Sequence, residues 1–417
     1  MLYFATFVFM LLSANGTFVS FYNIDWFIID FIFIWIGLEY GRFNKRDLRF
    51  GAGFAIMFIG YCTLRSIFLT NLPTRYYISD IIYLFKYILP SFLYCALLKE
   101  KAIHYLSKVI IDLTKISIPF YCFQLLAGDA LYSIGKAINL PPEVPAYHYT
   151  NFLVFTYVKE HAHQNSGFSW EPGAFGFFLI IGLMLHLFKN GFKIDSGTKW
   201  LMVGVLTTLS TTTYVAFGLV MLMHYRANGV KLSTLAIFAV PIMAIAVFQL
   251  PFLLDKVIEV YHHDMQDLKN IAFLHAYYER IGEQMPFNRF SSALFIYNQY
   301  HEKLIFGISN IFIESVPYLK NANTSSGIFE YFAKFGIVAF VLLFFRMCLF
   351  YKKLGASKEQ MFYCVLLVLI LGFAESIFIL PLMTNFYFLY FYANPQEVLN
   401  EEDDEDEYIK RKPLLQP

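Results

Sequence analysis

Charge is scarce in this chain: Asp, Glu, Lys and Arg make up only 15% of its 417 residues, while 58% are hydrophobic and 20% aromatic. Soluble domains carry about one charged residue in four, so the deficit excludes water as the main solvent of the fold. Cysteine is sparse too. All five, Cys62, Cys95, Cys122, Cys348 and Cys364, lie inside apolar runs, where a small buried hydrophobe is expected and no disulfide framework is implied. The chain has no nucleotide-phosphate loop, no tandem repeat and no His-Glu-x-x-His pattern, so no metal, cofactor or nucleic-acid partner is expected. The first apolar run lacks a basic leader and a small-residue cleavage site, which predicts a retained span.

Apolar runs are abundant. A bilayer core of roughly 30 Å needs about 20 residues at 1.5 Å rise. Runs at 2–21, 24–38, 51–69, 78–98, 109–126, 175–188, 232–254, 328–350 and 361–380 match or approach that length. Residues 200–222 read as one helix or as two short ones meeting at the polar run 207–213. Residues 361–392 exceed one span, and Pro381 with Asn385 offers a break. The expectation is an all-α polytopic transmembrane bundle of ten to twelve spans over residues 1–392, followed by an acidic, solvated tail over 393–417.

Lys and Arg of short loops stay on the cytoplasmic side. Arg42, Lys45, Arg46 and Arg49, then Lys99, Lys101 and Lys108, then Lys189, Lys193 and Lys199 fall on alternate loops. Arg226, Lys231, Arg346, Lys352, Lys353 and Lys358 join them only if 200–222 forms two passes. Charge bias therefore predicts twelve passes. The polar loops near 128–170 and 255–325 then share the opposite side, the second as interfacial helices capping the bundle.

Chemistry is expected in those outer segments. Glu171, followed by Pro172, stands where an apolar run begins; it either complements the helix dipole or acts as a base or sugar-binding carboxylate. Arg280 and Arg289 present planar forks suited to phosphate, although single surface arginines are commonly solvated or ion-paired. His161, His163, His262, His263, His275 and His301 suit structural or proton-transfer roles better than metal binding. The hydroxyls of Ser210, Thr211, Thr212 and Thr213 either satisfy the backbone at a helix break or line a polar cavity.

The order of short motifs carries a resemblance. Ser166-Gly167-Phe168-Ser169-Trp170-Glu171-Pro172-Gly173 precedes a span, and Leu209-Ser210-Thr211-Thr212-Thr213-Tyr214 separates two short ones. A long outer loop with Arg289 and Phe306-Gly307-Ile308-Ser309 follows, then Asn323-Thr324-Ser325-Ser326-Gly327 and Phe335-Gly336-Ile337. Over its second two-thirds the chain thereby resembles the O-antigen polymerase (Wzy-type) group of the O-antigen ligase/polymerase superfamily. It departs from that pattern twice: the common Ser-Arg is Ser210-Thr211, and the common His-Asn is absent from 323–326.

The resemblance implies an integral membrane glycosyltransferase at the periplasmic face of a bacterial inner membrane, multi-pass and without a cofactor. Its substrate would be an undecaprenyl-diphosphate-linked oligosaccharide, and its partners the lipid bilayer and a chain-length regulator. Arg289 would hold the diphosphate with Arg280 as second donor, and Glu171 would serve the acceptor side. Trp170, Ser210, Thr211 and Asn323 would contact substrate. Two alternatives stay open: a ligase delivering the glycan to a lipid A core, and a lipid-linked sugar flippase or transporter. For the latter, Lys86, Asp112, Lys115 and Asp129 supply ionisable groups in or near spans.

Overall fold

The structure is a computed structural model that describes residues 1–417 except 15–22, 69–73, 139, 141–147, 231–257, 259–260, 264, 282–284, 288, 311–321, 324–325 and 394–417. Of Arg289 and Asn323 it describes the backbone alone. The described chain is an all-α bundle. The expected span at 232–254 and the acidic tail lie outside the described residues.

The first helices are α1 (Leu2–Ala14), α2 (Asn23–Glu39), α3 (Lys45–Phe68), α4 (Thr74–Tyr83), α5 (Leu89–Leu98) and α6 (Ala102–Ile138). A π-helical turn, Leu84–Ile88, joins α4 to α5, and a 3-10 turn, Lys99–Lys101, separates α5 from α6. After a two-stranded antiparallel hairpin, β1 (Tyr149–Asn151) and β2 (Thr156–Val158), come α7 (Pro172–Lys189), α8 (Ser196–Thr208) and α9 (Thr211–Ala227). The outer cap holds α10 (Ile271–Ile281), β3 (Met285–Pro286), α11 (Arg289–Tyr300) and β4 (Ala322–Asn323). The chain closes with α12 (Gly327–Lys353), α13 (Lys358–Ala374), α14 (Pro381–Thr384) and α15 (Phe386–Tyr392).

Stretches within Lys45–Phe68, Thr74–Ile138, Pro172–Lys189 and Gly327–Lys353 are long and apolar enough to cross a membrane. They differ in placement. The apolar window of α7 is 89% buried, against 17% for α3, so α7 is the central post and α3 lies at the periphery. An all-round apolar helix has no polar face to offer and sinks into the core. Phe177, Phe178, Ile180 and Met184 of α7 are fully enclosed, while Ile56, Leu64 and Ile67 of α3 face outward.

The polar run 207–213 resolves into a helix break. Leu209 takes a left-handed conformation (φ 48°), and the Ser210 hydroxyl accepts the Thr213 N–H to cap α9. Thus α8 and α9 form an antiparallel hairpin, the two-segment alternative. The C-terminal run breaks earlier than Pro381 and Asn385 indicate: α13 ends at Ala374, the chain continues extended at Glu375, and Pro381 starts α14. The span expected at 109–126 is part of the longer α6, which leaves helical geometry at Ala127. The hairpin β1–β2 has no counterpart in the sequence reading.

Ion pairs and hydrogen bonds gather the basic loops at one end of the bundle. Lys99 lies 3.6 Å from Asp47, and Lys189 meets His104 at 2.7 Å. Asn228 donates to Phe192 O, and Arg226 grips Glu359 through two bonds of 2.9 and 3.1 Å. Arg46 covers the Phe391 ring at 4.5 Å. The loops before α3, α6, α8 and α13 therefore share a face, as charge bias requires of two passes through 200–222.

At that face Asp195 caps α8 in a capping box: its carboxylate accepts the Thr198 N–H at 2.8 Å and faces His186 Nε2 at 2.8 Å. Partial burial acts to raise its pKa. The Thr198 N–H and hydroxyl and the His186 ring outweigh that effect and hold the carboxyl at about 2. A depressed pKa contributes stability above the unfolded value near 4, and the contribution fades as pH falls toward 2. Asp195→Ala is expected to lose about 1 kcal/mol, the usual worth of a cap. Thermal unfolding in detergent checks this: the midpoint falls at pH 7, and the gap to wild type narrows toward pH 2.

Candidate functional site

The end opposite the basic loops collects the polar segments. Asn165 binds the α8 terminus, its N–H donating to Thr207 O at 2.9 Å and its side chain to Thr207 Oγ1 at 3.0 Å. Glu171 is the extended residue before α7, with Pro172 in the first turn. Its side chain does not cap that helix; Oε1 accepts the Trp170 indole N–H at 2.7 Å. The dipole role survives only as proximity, because the carboxylate is committed to the indole. Both residues are partly exposed.

Backbone approach links this corner to the outer cap. A Cβ at Gly173 would collide with the Glu375 carboxylate, and one at Gly327 with the Glu375 backbone. Glu375 thus sits between the starts of α7 and α12. Four residues before Gly327, Asn323 pairs in parallel with Pro286, and Arg289 opens α11 three residues after Pro286. Glu171, Asn323 and the backbone of Arg289 therefore belong to one end of the molecule. Arg280 is exposed in the last turn of α10, the helix that leads into β3. Ser210 caps α9 and Thr211 is exposed beside it.

The carbonyls of His161 and His163 accept from Gln124 and Tyr121, while His263 and His275 face Asp267 and Glu279 on their own helices. Asp112 accepts from Tyr3 and Lys115, and Asp129 from Lys159. These carboxylates are paired locally.

The strongest constellation was not among the expected residues. In α12 the chain leaves helical geometry at Gly336 (φ 84°), and Gly307 (φ 73°) packs against it. A Cβ at Gly307 would lie 2.6 Å from Gly336 N, so only hydrogen fits. The break opens three carbonyls to outside donors. Ala333 O accepts the Ile308 N–H, and Lys334 O accepts both the Ser309 N–H (3.1 Å) and Arg65 Nη1 (2.7 Å). Phe335 O accepts the Tyr61 hydroxyl at 2.6 Å, which also lies 2.8 Å from Phe306 O.

Arg65 completes the junction. Its guanidinium is fully buried and forms an ion pair with Asp80 of α4. The other Asp80 oxygen accepts the Ser309 hydroxyl at 2.7 Å. One cation thereby joins α3, α4, the cap segment at 307–309 and the opened turn of α12. The motifs Phe306-Gly307-Ile308-Ser309 and Phe335-Gly336-Ile337, far apart in sequence, meet here.

Toward the basic end the same helices enclose an open groove of about 190 Å³, lined by Phe58, Tyr61, Tyr83, Tyr331, Phe335 and Val338 among others. Its tyrosines are tied to protein: Tyr331 and Tyr387 hydroxyls lie 2.8 Å apart, and Tyr387 donates to Ala339 O. Arg65, Asp80 and Lys334 were legible as charges within or beside apolar runs, the feature that flags intramembrane function. They lie outside the polar segments in which chemistry was expected. Asp30 of α2 is a further such residue, buried with no hydrogen bond to either carboxylate oxygen among the described residues.

No family model, curated protein or solved structure matches the chain.

Removing one partner of a buried pair leaves the other charge uncompensated, at a cost of roughly 3–5 kcal/mol. Arg65→Ala is expected to destabilise by that order, and Arg65→Leu combined with Asp80→Leu by distinctly less. Unfolding midpoints in detergent for the two proteins test the pair; equal losses would contradict it.

Proposed function

We propose that the protein is a multi-pass membrane glycosyltransferase that polymerises undecaprenyl-diphosphate-linked oligosaccharide repeats at the periplasmic face of a bacterial inner membrane. The observation that carries this reading is the gathering of its motif segments, Trp170–Gly173, Ser210, Asn323 and Arg289, at the end of the bundle away from the basic loops. Those loops belong in the cytoplasm by the positive-inside rule. Lipid-linked repeats displayed on the outer face would meet the opposite end.

The chemistry asks for two things. The bond between the anomeric carbon of the growing glycan and the diphosphate breaks, and its electron pair leaves with the phosphate oxygen. Arg289, with Arg280 as second donor, neutralises that anion. The acceptor hydroxyl of the newly arrived repeat forms the new bond and gives its proton to Glu171. The Trp170 indole fixes one Glu171 oxygen, leaving the other to meet the hydroxyl, and Trp170 offers a flat apolar face to a sugar ring. Ser210, Thr211 and Asn323 supply hydrogen-bonding groups around it.

A second reading, a lipid-linked sugar flippase, draws on Lys86, whose ammonium lies 5.2 Å from the Trp26 ring and 5.6 Å from that of Tyr87 inside the bundle. Gene deletion separates the two. Loss of a polymerase leaves single repeats on the lipid anchor at the cell surface, whereas loss of a flippase leaves none there. In complementation, Arg289→Ala is expected to reach the membrane at wild-type level and to slow chain extension by roughly 100- to 1,000-fold, the loss of one donor to a developing anion. Wild-type glycan ladders from that variant would remove Arg289 from the mechanism.

A further inference from the structure

Three helices of the groove carry their charges at the same level. Arg65 lies one turn beyond Tyr61 on α3, Asp80 three residues before Tyr83 on α4, and Lys334 directly before Phe335 on α12. Given the helix directions, Arg65 and Asp80 lie on the side of the groove away from the basic loops, while Lys334 lies between the lining residues Tyr331 and Phe335 of α12. Lys334 is the seventh residue after the start of α12, roughly 10 Å along that helix. From there Phe335, Val338 and Leu342 continue the groove toward the basic end.

Arg65 and Asp80 neutralise each other. Lys334 is different. Its carbonyl serves Arg65, but among the described residues its ammonium has no hydrogen bond or ion pair. The ammonium lies 5.7 Å from the Tyr83 ring centre and 5.8 Å from that of Phe335, two residues that line the groove. The side chain is largely enclosed by protein yet keeps part of its surface open. Among the described residues the groups that act on it electrostatically are Asp80, Glu330 and Lys86, with Arg65 bound to Asp80. Three cations therefore stand against two carboxylates, and one of these, Glu330, already accepts the Ser376 hydroxyl at 2.5 Å. The local excess is positive.

The groove itself is apolar and opens sideways, for Met57 and Val338 in its lining are exposed beside Ile56 and Val341. An apolar trough beside exposed apolar residues, flanked by an ammonium with no ion pair among the described residues, matches an amphiphile with an anionic head. We infer that this groove binds a membrane lipid, its chain between α3 and α12 and its phosphate on Lys334. The inference does not depend on the polymerase reading, since a transporter or ligase with this groove would hold the same lipid.

The test uses the full chain in vesicles containing either phosphatidylglycerol or phosphatidylcholine, each with a photoreactive diazirine in one chain, and maps labelled peptides by mass spectrometry. Labelling of the α3 and α12 peptides is expected to favour the anionic lipid about fivefold, the increment that one lysine adds near a charged surface. Lys334→Gln brings the ratio to near one, and Lys334→Arg retains the preference. Val338→Trp fills the groove without touching the charge and lowers labelling by both lipids. Equal labelling by the two lipids in the wild type, or an unchanged preference in Lys334→Gln, overturns the assignment. So does wild-type labelling in Val338→Trp, which decides the matter even if Lys334→Gln fails to fold. Loss of the preference on adding inorganic phosphate makes the lysine a free-anion site and overturns the lipid.

Discussion

Arg65 is a charge with nowhere to go but inward. On a peripheral helix whose outer face is apolar, its guanidinium turns into the bundle, where the two terminal nitrogens find acceptors and Nε has none among the described residues. It finds the Asp80 carboxylate and the Lys334 carbonyl. The second of these is exposed because α12 breaks at Gly336, and the break is tolerable because Arg65, Tyr61 and the 307–309 backbone occupy the opened carbonyls. Each part of the junction presupposes the others. In an apolar surrounding an unpaired backbone group costs several kcal/mol, so the kink and the cap segment that fills it stand or fall together.

That junction divides the molecule structurally. On one side lies the outer cap, with its own small core of Phe295, Ile296, Tyr300 and Leu304 packed against Ala333. On the other lies the aromatic groove. The central helix α7 is held separately, its close approach to α9 occurring where a Cβ on Gly176 would meet the Thr213 side chain. The end that bears Glu171, Asn323 and Arg289 is therefore assembled from a rigid post, α7, and from a cap anchored through Arg65. A lipid in the groove and a glycan at the α7 corner would be neighbours along α12, which runs from Gly327 past Lys334 to the groove.

Legibility varied with the kind of signal. The two-helix reading of 200–222 followed from Arg226 and its companions, because lysine and arginine placement is a property of loops and needs no tertiary contact. The break near Pro381 was seen and misplaced by several residues: proline marks where a helix begins, while α13 stopped at Glu375, whose side chain is drawn to the α7 terminus. The β1–β2 hairpin was invisible, since Tyr149–Asn151 and Thr156–Val158 are three-residue strands whose pairing depends on packing against α6. Glu171 was placed correctly at the start of α7, but its indole partner was not foreseen, as side-chain direction at an extended residue is set by neighbours.

By itself the sequence determined the all-α class, the stretches long and apolar enough to cross a membrane and which loops share a side, because hydrophobic length and basic-residue placement act locally along the chain. Only the tertiary structure decided that Arg65, Asp80, Ser309 and Lys334 form one junction. Their pairing spans up to 269 residues, and nothing in a linear pattern specifies which buried charge will meet which opened carbonyl. That choice is made by packing, where a cation removed from water accepts whichever partners the surrounding helices bring within reach.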